Sequence, residues 1–141
     1  PWRCGSLKVV PFAFLPQEDY DRLLWSCDVN FVRGEDSFVR AQWAGRPFVW
    51  QAYPQAESAH LDKLEAFLGR YCAGLAPAAA AVAVDLFRAW NSRDGESLLP
   101  LLEEFLEQRA GITTHARRWA CDLDAMPDLA SALVSFCRSR L

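Results

Sequence analysis

Five consecutive residues, Arg33-Gly34-Glu35-Asp36-Ser37, combine a fixed cation, a flexible backbone position, two carboxylates and a hydroxyl. A short strand pattern, Asp28 to Val32, precedes them. A helical pattern follows from about Ser37 to Ala44. A strand that turns through glycine into a helix presents unpaired N–H groups and the positive end of the helix dipole, which suits an anion. Gly34 permits the sharp turn and lets a phosphate approach the backbone. Arg33 offers a planar fork of donors to phosphate oxygens. Asp36 or Ser37 is placed to cap the helix, and Ser37 is alternatively placed to bond a phosphate oxygen. Glu35 and Asp36 would repel a diphosphate if they faced it. Asp36 is therefore expected to cap the helix or hold Arg33, and Glu35 to accept from sugar or ribose hydroxyls. The run lacks the Gly-Lys-Ser/Thr ending of a Walker A loop, and it is not a GxGxxG fingerprint. The same strand–glycine–helix order also occurs in domains with no ligand there.

Other reactive residues carry weaker signals. Asp122-Leu123-Asp124 has DxD form, but it falls in an expected helix-to-helix loop with no strand end beside it, so a solvated surface pair is expected. His60 opens a helix and is expected at the surface near its cap, and His115 has no clear partner. The five cysteines, Cys4, Cys27, Cys72, Cys121 and Cys137, are scattered with no CxxC pair, and they read as free, mostly buried thiols of a reducing compartment. No metal site is expected from this spacing.

The elements that must position these residues follow from periodicity. Leu7 to Leu15 reads as a buried strand ending at the loop Pro16-Gln17-Glu18. Asp19 is placed to cap a helix through Trp25. Gly45 ends the helix after Ser37, with Pro47 beyond. Phe48 to Tyr53 reads as a third strand, and His60 to Tyr71 as a helix with Leu61, Leu64, Phe67 and Leu68 on one stripe. Helices follow over Pro77 to Trp90, Ser97 to Arg109 (with Pro100 in its first turn), His115 to Cys121 and Asp128 to Arg138. The six tryptophans are expected in packing, and the leucine stripe from Leu98 to Leu106 in the helix core. Strands separated by helices imply a parallel sheet with right-handed crossovers. Ligands of such sheets bind beyond the carboxyl ends of the strands, which here means Pro16-Gln17-Glu18, Arg33 to Ser37 and Tyr53-Pro54-Gln55. The fold class is thus α/β: part of a Rossmann-like parallel sheet followed by several helices. Three strands are few for such a domain, and those that complete it are expected upstream of Pro1.

Length and charge bound the function. The 141 residues are 52% hydrophobic, which suits a packed core, and the net charge of −3 argues against a nucleic-acid partner. No apolar run is long enough to span a bilayer, and no signal peptide is visible, so neither membrane nor export is expected.

The stretch from Cys27 to Gln51, the pair Tyr53-Pro54 with Gln55, and the upstream segment Leu15-Pro16-Gln17-Glu18-Asp19-Tyr20-Asp21 together resemble the bacterial elongation factor P arginine rhamnosyltransferases. The resemblance is densest from Leu7 to Leu68. It implies the C-terminal, nucleotide-sugar-binding domain of an inverting GT-B glycosyltransferase, here incomplete over residues 1–141, with residues 76–141 as its helical tail. Other GT-B enzymes share the layout with different residues. The donor it implies is thymidine-diphosphate-β-L-rhamnose, and the acceptor is an arginine of elongation factor P, in the cytoplasm and without a metal or other cofactor. The catalytic aspartate is implied in the N-terminal domain, outside these residues. Gln17 with Phe14 and Leu15 would hold the thymine. Arg33, Ser37 and the backbone of Glu35 to Ser37 would hold the diphosphate, with the Tyr53 hydroxyl donating to it. Glu35 would act at the sugar or ribose, and Asp36 would support the loop. Phe14 also suits a core strand, and Tyr53 a surface phenol. The final helix is placed to cross to the other domain, burying Leu129, Leu133 and Phe136. The competing readings are a GT-B enzyme with a different nucleotide sugar and a non-catalytic module that binds a partner protein.

Overall fold

The computed structural model describes residues 1–92 and 95–140. Its elements are β1 (Trp2–Cys4), β2 (Leu7–Val9), α1 (Gln17–Ser26), β3 (Asn30–Arg33), α2 (Glu35–Trp43), β4 (Phe48–Gln51), α3 (Ala59–Tyr71), α4 (Pro77–Ser92), α5 (Gly95–Glu107), α6 (Arg109–Asp124) and α7 (Leu129–Arg140). β3 and β4 pair in parallel, with Asn30 opposite Phe48 and Arg33 opposite Gln51, and α2 is the crossover between them. This is the strand–helix–strand unit expected of the central segment. The described chain is a mixed α/β fold with two small two-stranded sheets.

The first apolar run differs from expectation. Leu7–Val9 turns back antiparallel on Trp2–Cys4, and residues 1–14 are exposed. It is neither a buried strand nor a third parallel one. Cys4 pairs with Leu7, so Gly5 and Ser6 form a two-residue turn, with Gly5 at φ +59°. Such a turn favours a local hairpin. Pro11, which has no N–H to donate, follows the strand closely.

β4 is the centre of the core. Phe48, Val49 and Trp50 are all buried, as befits a strand covered on both faces. Around it Phe38, Phe67, Tyr71 and Phe87 form one aromatic cluster of edge-on, tilted and stacked pairs. The buried Asn30 side chain donates to the Leu24 carbonyl at 3.0 Å, which ties the end of α1 to the start of β3. Gly45 takes the expected left-handed conformation after α2, at φ +61°.

Several helix boundaries shift. α1 begins at Gln17 behind the extended Pro16, so Asp19 sits inside the first turn and pairs with Arg22 at 3.0 Å rather than capping. α5 begins at Gly95, so Pro100 lies beyond the first turn. The short helix expected at His115 is the middle of the longer α6, which also carries Asp122 and Asp124 in its last turn rather than in a loop. Phe105 is buried and Leu98, Leu101 and Leu102 pack against the core, but Leu99 and Leu106 face outward. Of the cysteines only Cys72 is buried. Cys27 is half-buried, and Cys4, Cys121 and Cys137 are exposed because they lie on the hairpin and on outward faces of α6 and α7. Trp50 is buried, but Trp2, Trp25 and Trp43 are exposed. Leu129, Leu133 and Phe136 of α7 are also exposed, with the Arg140 guanidinium 5.1 Å from the centroid of the Phe136 ring. No helix of the described residues is long and apolar enough to cross a membrane.

Candidate functional site

The end of β3 and the start of α2 meet at Gly34, which is the N-cap residue at φ +78° and ψ −173° with no side-chain cap. The helix is therefore capped two positions before Asp36 and three before Ser37, the residues expected to cap it. Glu35, Asp36 and Ser37 form its first turn, where backbone N–H groups have no partner within the helix. These amides lie at the carboxyl end of the parallel strands, where α/β sheets bind ligands.

Three residues of the following strand and loop hold Gly34 in place. Its N–H donates to the Gln51 carbonyl at 3.1 Å, and its carbonyl accepts from Nε1 of Trp50 at 2.9 Å. A Cβ added at Gly34 would sit 2.7 Å from Cε2 of Tyr53 and 3.0 Å from its hydroxyl oxygen. Only glycine meets both the left-handed φ and this close approach. The Arg33 guanidinium lies over the same Tyr53 ring, 5.0 Å from its centroid, a cation–π contact. Arg33, Gly34 and Tyr53 thus share one corner.

Beside that corner is a cavity of about 510 Å³. Phe14, Leu15 and Gln17 line one wall, and Asp36, Ser37 and Arg40 line the other, with Tyr20 between them. The loop expected to hold a base and the helix terminus expected to hold phosphate therefore face each other. Phe14 is fully exposed, so the core reading of that residue fails. It lies beyond the hairpin, with no sheet over it. Glu35 and Tyr53 instead line a second cavity of about 620 Å³ on the other side of α2, with Phe38, Trp50, Phe67 and His60. Glu35, Phe38 and Gln42 mark that face of the helix, and Asp36, Ser37 and Arg40 the opposite one. The nine candidate residues hence fall around one helix terminus but not into one cavity.

Asp36 neither caps α2 nor holds Arg33. Its carboxylate accepts from Nε of Arg40 at 2.8 Å, one helical turn on, because the earlier helix start puts the two residues on one face. The same guanidinium donates from Nη1 to both oxygens of Asp21 on α1, at 2.9 Å each. Asp21 first, then Asp36, raises the Arg40 pKa above its ordinary value. Arg40 thus bridges the helix that carries Gln17 to the helix that carries the open amides. The Asp36/Arg40 spacing was visible in sequence as an i,i+4 pair, but the reach of Asp21 across nineteen positions was not.

The remaining candidates stand apart. His60 is half-buried, and its Nδ1 accepts from the Gln55 N–H at 3.2 Å, which is more than a surface role. His115 packs against Tyr71 under α3, with ring centroids 4.8 Å apart. Asp122 lies 3.9 Å from Arg118 in an exposed pair. Among the described residues no group of three or more His, Cys, Asp or Glu side chains is placed to hold a metal ion.

The family profile described as "Elongation-Factor P (EF-P) rhamnosyltransferase EarP" matches residues 2–138. The chain is 50% identical over 139 residues to a protein-arginine rhamnosyltransferase of Pseudomonas putida, an alignment that covers 97% of this chain and 36% of the relative. A protein of the same name from Pseudomonas aeruginosa is 50% identical over 131 residues, 93% of this chain and 34% of the relative. A solved structure described as the structural basis for EarP-mediated arginine glycosylation of translation elongation factor EF-P superposes with a TM-score of 0.75 at 47% identity, covering 91% of this chain and 39% of that one. The chain spans about a third of the length of the curated relatives it matches. The resemblance, read as densest from Leu7 to Leu68, holds over nearly the whole chain, which belongs to the EarP family of elongation factor P rhamnosyltransferases.

Proposed function

We propose that these residues form the donor-holding part of an inverting protein-arginine rhamnosyltransferase, within the C-terminal Rossmann-like half of a GT-B enzyme. The enzyme moves L-rhamnose from thymidine-diphosphate-β-L-rhamnose to an arginine of elongation factor P in the cytoplasm. One observation carries the reading: the uncapped N-terminus of α2 opens beside a cavity whose facing wall carries Gln17, while Arg33 and Tyr53 pack together against Gly34, the residue that precedes that terminus. In it, Gln17 reads the thymine edge between the apolar Phe14 and Leu15. The first-turn amides, the Ser37 hydroxyl, Arg33 and the Tyr53 hydroxyl take the diphosphate. Glu35, on the opposite face of the helix, accepts from sugar hydroxyls. Asp36 supports the terminus through Arg40.

The chemistry follows from where charge grows. As the glycosidic bond breaks, negative charge accumulates on the departing diphosphate. Donors already fixed in direction stabilise that charge without reorganising. The helix dipole adds to them, and Arg33 supplies a full positive charge. On this reading no metal ion is required for departure of the nucleotide. The rhamnosyltransferase names of the relatives and the arginine glycosylation of EF-P named for the solved structure support rhamnose as the sugar and an elongation factor P arginine as the acceptor.

Calorimetric titration with thymidine, uridine and adenosine diphosphates, each with and without a chelator, tests this. Thymidine diphosphate is expected to bind most tightly and independently of the chelator. Equal affinity for the three nucleotides would favour a transferase with another donor, binding lost to the chelator would remove the metal-free reading, and no binding at all would favour a protein-interaction module.

A further inference from the structure

The peptide that joins Gly34 to Glu35 has its carbonyl on one side and the Glu35 N–H on the other, because a trans peptide is planar and the two groups point in opposite directions. Whatever fixes the carbonyl fixes that N–H, the first of the helix. The Gly34 carbonyl accepts from the indole N–H of Trp50 at 2.9 Å. The indole itself has little freedom. Trp50 is 4% exposed, its ring stacks on Phe38 at 4.0 Å between centroids and 20° between planes, and Phe67 meets it edge-on at 6.2 Å. The Gly34 N–H is held in turn by the Gln51 carbonyl. Glycine has the widest backbone freedom of any residue, and at Gly34, with φ at +78°, the hydrogen bonds to the flanking strand restrict it.

We propose that Trp50 is a positioning residue for the diphosphate half of the donor site, acting through the Gly34 carbonyl on the amides that open α2. The role rests on the donor-site reading above. Trp50 itself lies on the far face of α2 from the cavity shared by Gln17 and Ser37. It touches the peptide that carries the anion-binding group, not the base-reading wall. A structural tryptophan would weaken all ligands together when altered. A positioning one weakens only ligands that carry the diphosphate.

The test is titration of the protein and its Trp50→Phe variant with thymidine diphosphate and with thymidine. Thymidine diphosphate affinity is expected to fall about five-fold, the scale of one hydrogen bond, while thymidine affinity stays unchanged. A Phe87→Leu variant loosens the same aromatic cluster without reaching Gly34, and it should lower the melting temperature while leaving the diphosphate affinity unchanged. If Trp50→Phe fails to fold, benzothienylalanine at position 50 keeps the ring shape and replaces only the N–H with sulfur. The same selective loss is expected of it. Unchanged diphosphate affinity in the folded variants, or an equal loss for thymidine and thymidine diphosphate, would overturn the role. Absence of thymidine diphosphate binding by the unsubstituted protein would overturn the donor-site reading and this role with it.

Discussion

Arg33 stands at the end of β3 with the Tyr53 ring against it and no carboxylate partner among the described ion pairs. An arginine with its fork unspent beside open helix amides is suited to a phosphate. The two residues should then differ in cost. Arg33→Ala is expected to lose about 1.5–3 kcal/mol of thymidine diphosphate affinity and Tyr53→Phe about 0.5–1.5, the ranges for charged and neutral hydrogen bonds. Titration of both variants checks the order, and unchanged affinity in both would move the phosphate elsewhere. Arg40 makes a different contribution. Its fork serves Asp21 and Asp36 at once, which offsets the charge of two carboxylates, one of them in the cavity wall. Lysine has the charge without the fork, so Arg40→Lys should bind thymidine diphosphate more weakly than the unsubstituted protein; equal affinity would reduce the bridge to a surface contact. The residue types around α2 were legible in the sequence because each has its own chemistry. Their pairing was less so: the helix begins at Glu35, two positions before the expected Ser37, so Asp36 lies inside its first turn, one turn before Arg40, rather than at a cap beside Arg33.

At the scale of elements, Gly34 shows why the β3–α2 junction was readable and the hairpin was not. A glycine between a strand pattern and a helix pattern has a strong local signature, whereas a three-residue strand such as β2 depends on what it pairs with. The apolar run over Leu7–Val9 fits a buried strand as well as it fits a hairpin, and only the Gly5-Ser6 turn separates them. The Gly34 junction also gives a sharp expectation. Gly34→Ala places a Cβ 2.7 Å from Tyr53 and forces a positive φ on a residue with a side chain. The backbone part alone costs about 1–3 kcal/mol, because φ +78° with ψ −173° is a region that side-chain-bearing residues hardly enter. A Gly34→Ala/Tyr53→Ala pair relieves the clash but not the backbone, so its melting temperature should lie above the sum of the two single losses. Strict additivity would mean that the ring moves aside freely. α6 supplies a second case. Burial lowers the His115 pKa from its ordinary 6.5, opposed by a hydrogen bond to the Tyr71 backbone, with Arg118 lowering and Asp122 raising it further. The unfolded chain therefore takes up the proton more readily than the fold does. His115 contributes full stability above its ordinary pKa, and loses it as pH falls through that value toward the lower folded one. Melting temperature measured at about pH 7.5 and about pH 5.5 should drop more for the unsubstituted protein than for His115→Phe. An equal drop would assign the pH response to carboxylates.

For the molecule as a whole, the open surfaces decide what these residues can do alone. The hairpin, Phe12 and Phe14 on one side and Leu129, Leu133 and Phe136 of α7 on another expose large apolar side chains in number. The cavity that brings Gln17 to Ser37 has the exposed Phe12–Phe14 segment as part of its wall. A donor bound there would be held by its diphosphate at one fixed corner and by its base against a wall that little supports. Affinity depends on how much ordering the ligand must impose, and a wall of this kind leaves much of it to be done. The acceptor side is more demanding. In the proposed inverting reaction an arginine would have to lose a proton and approach the sugar opposite the departing diphosphate, which calls for a base across the donor. Glu35 sits beside the helix terminus that would hold the diphosphate, on the leaving-group side. The relatives carry about twice as much sequence again as these residues match. A polypeptide confined to residues 1–141 is therefore expected to bind thymidine diphosphate more weakly than a form of the protein as long as those relatives, and to transfer no rhamnose. Incubation of each with elongation factor P and thymidine-diphosphate-rhamnose, followed by the intact mass of the acceptor, reads the outcome. A mass gain with the 141-residue polypeptide would put the base within these residues, and loss of that gain in Glu35→Gln would identify it.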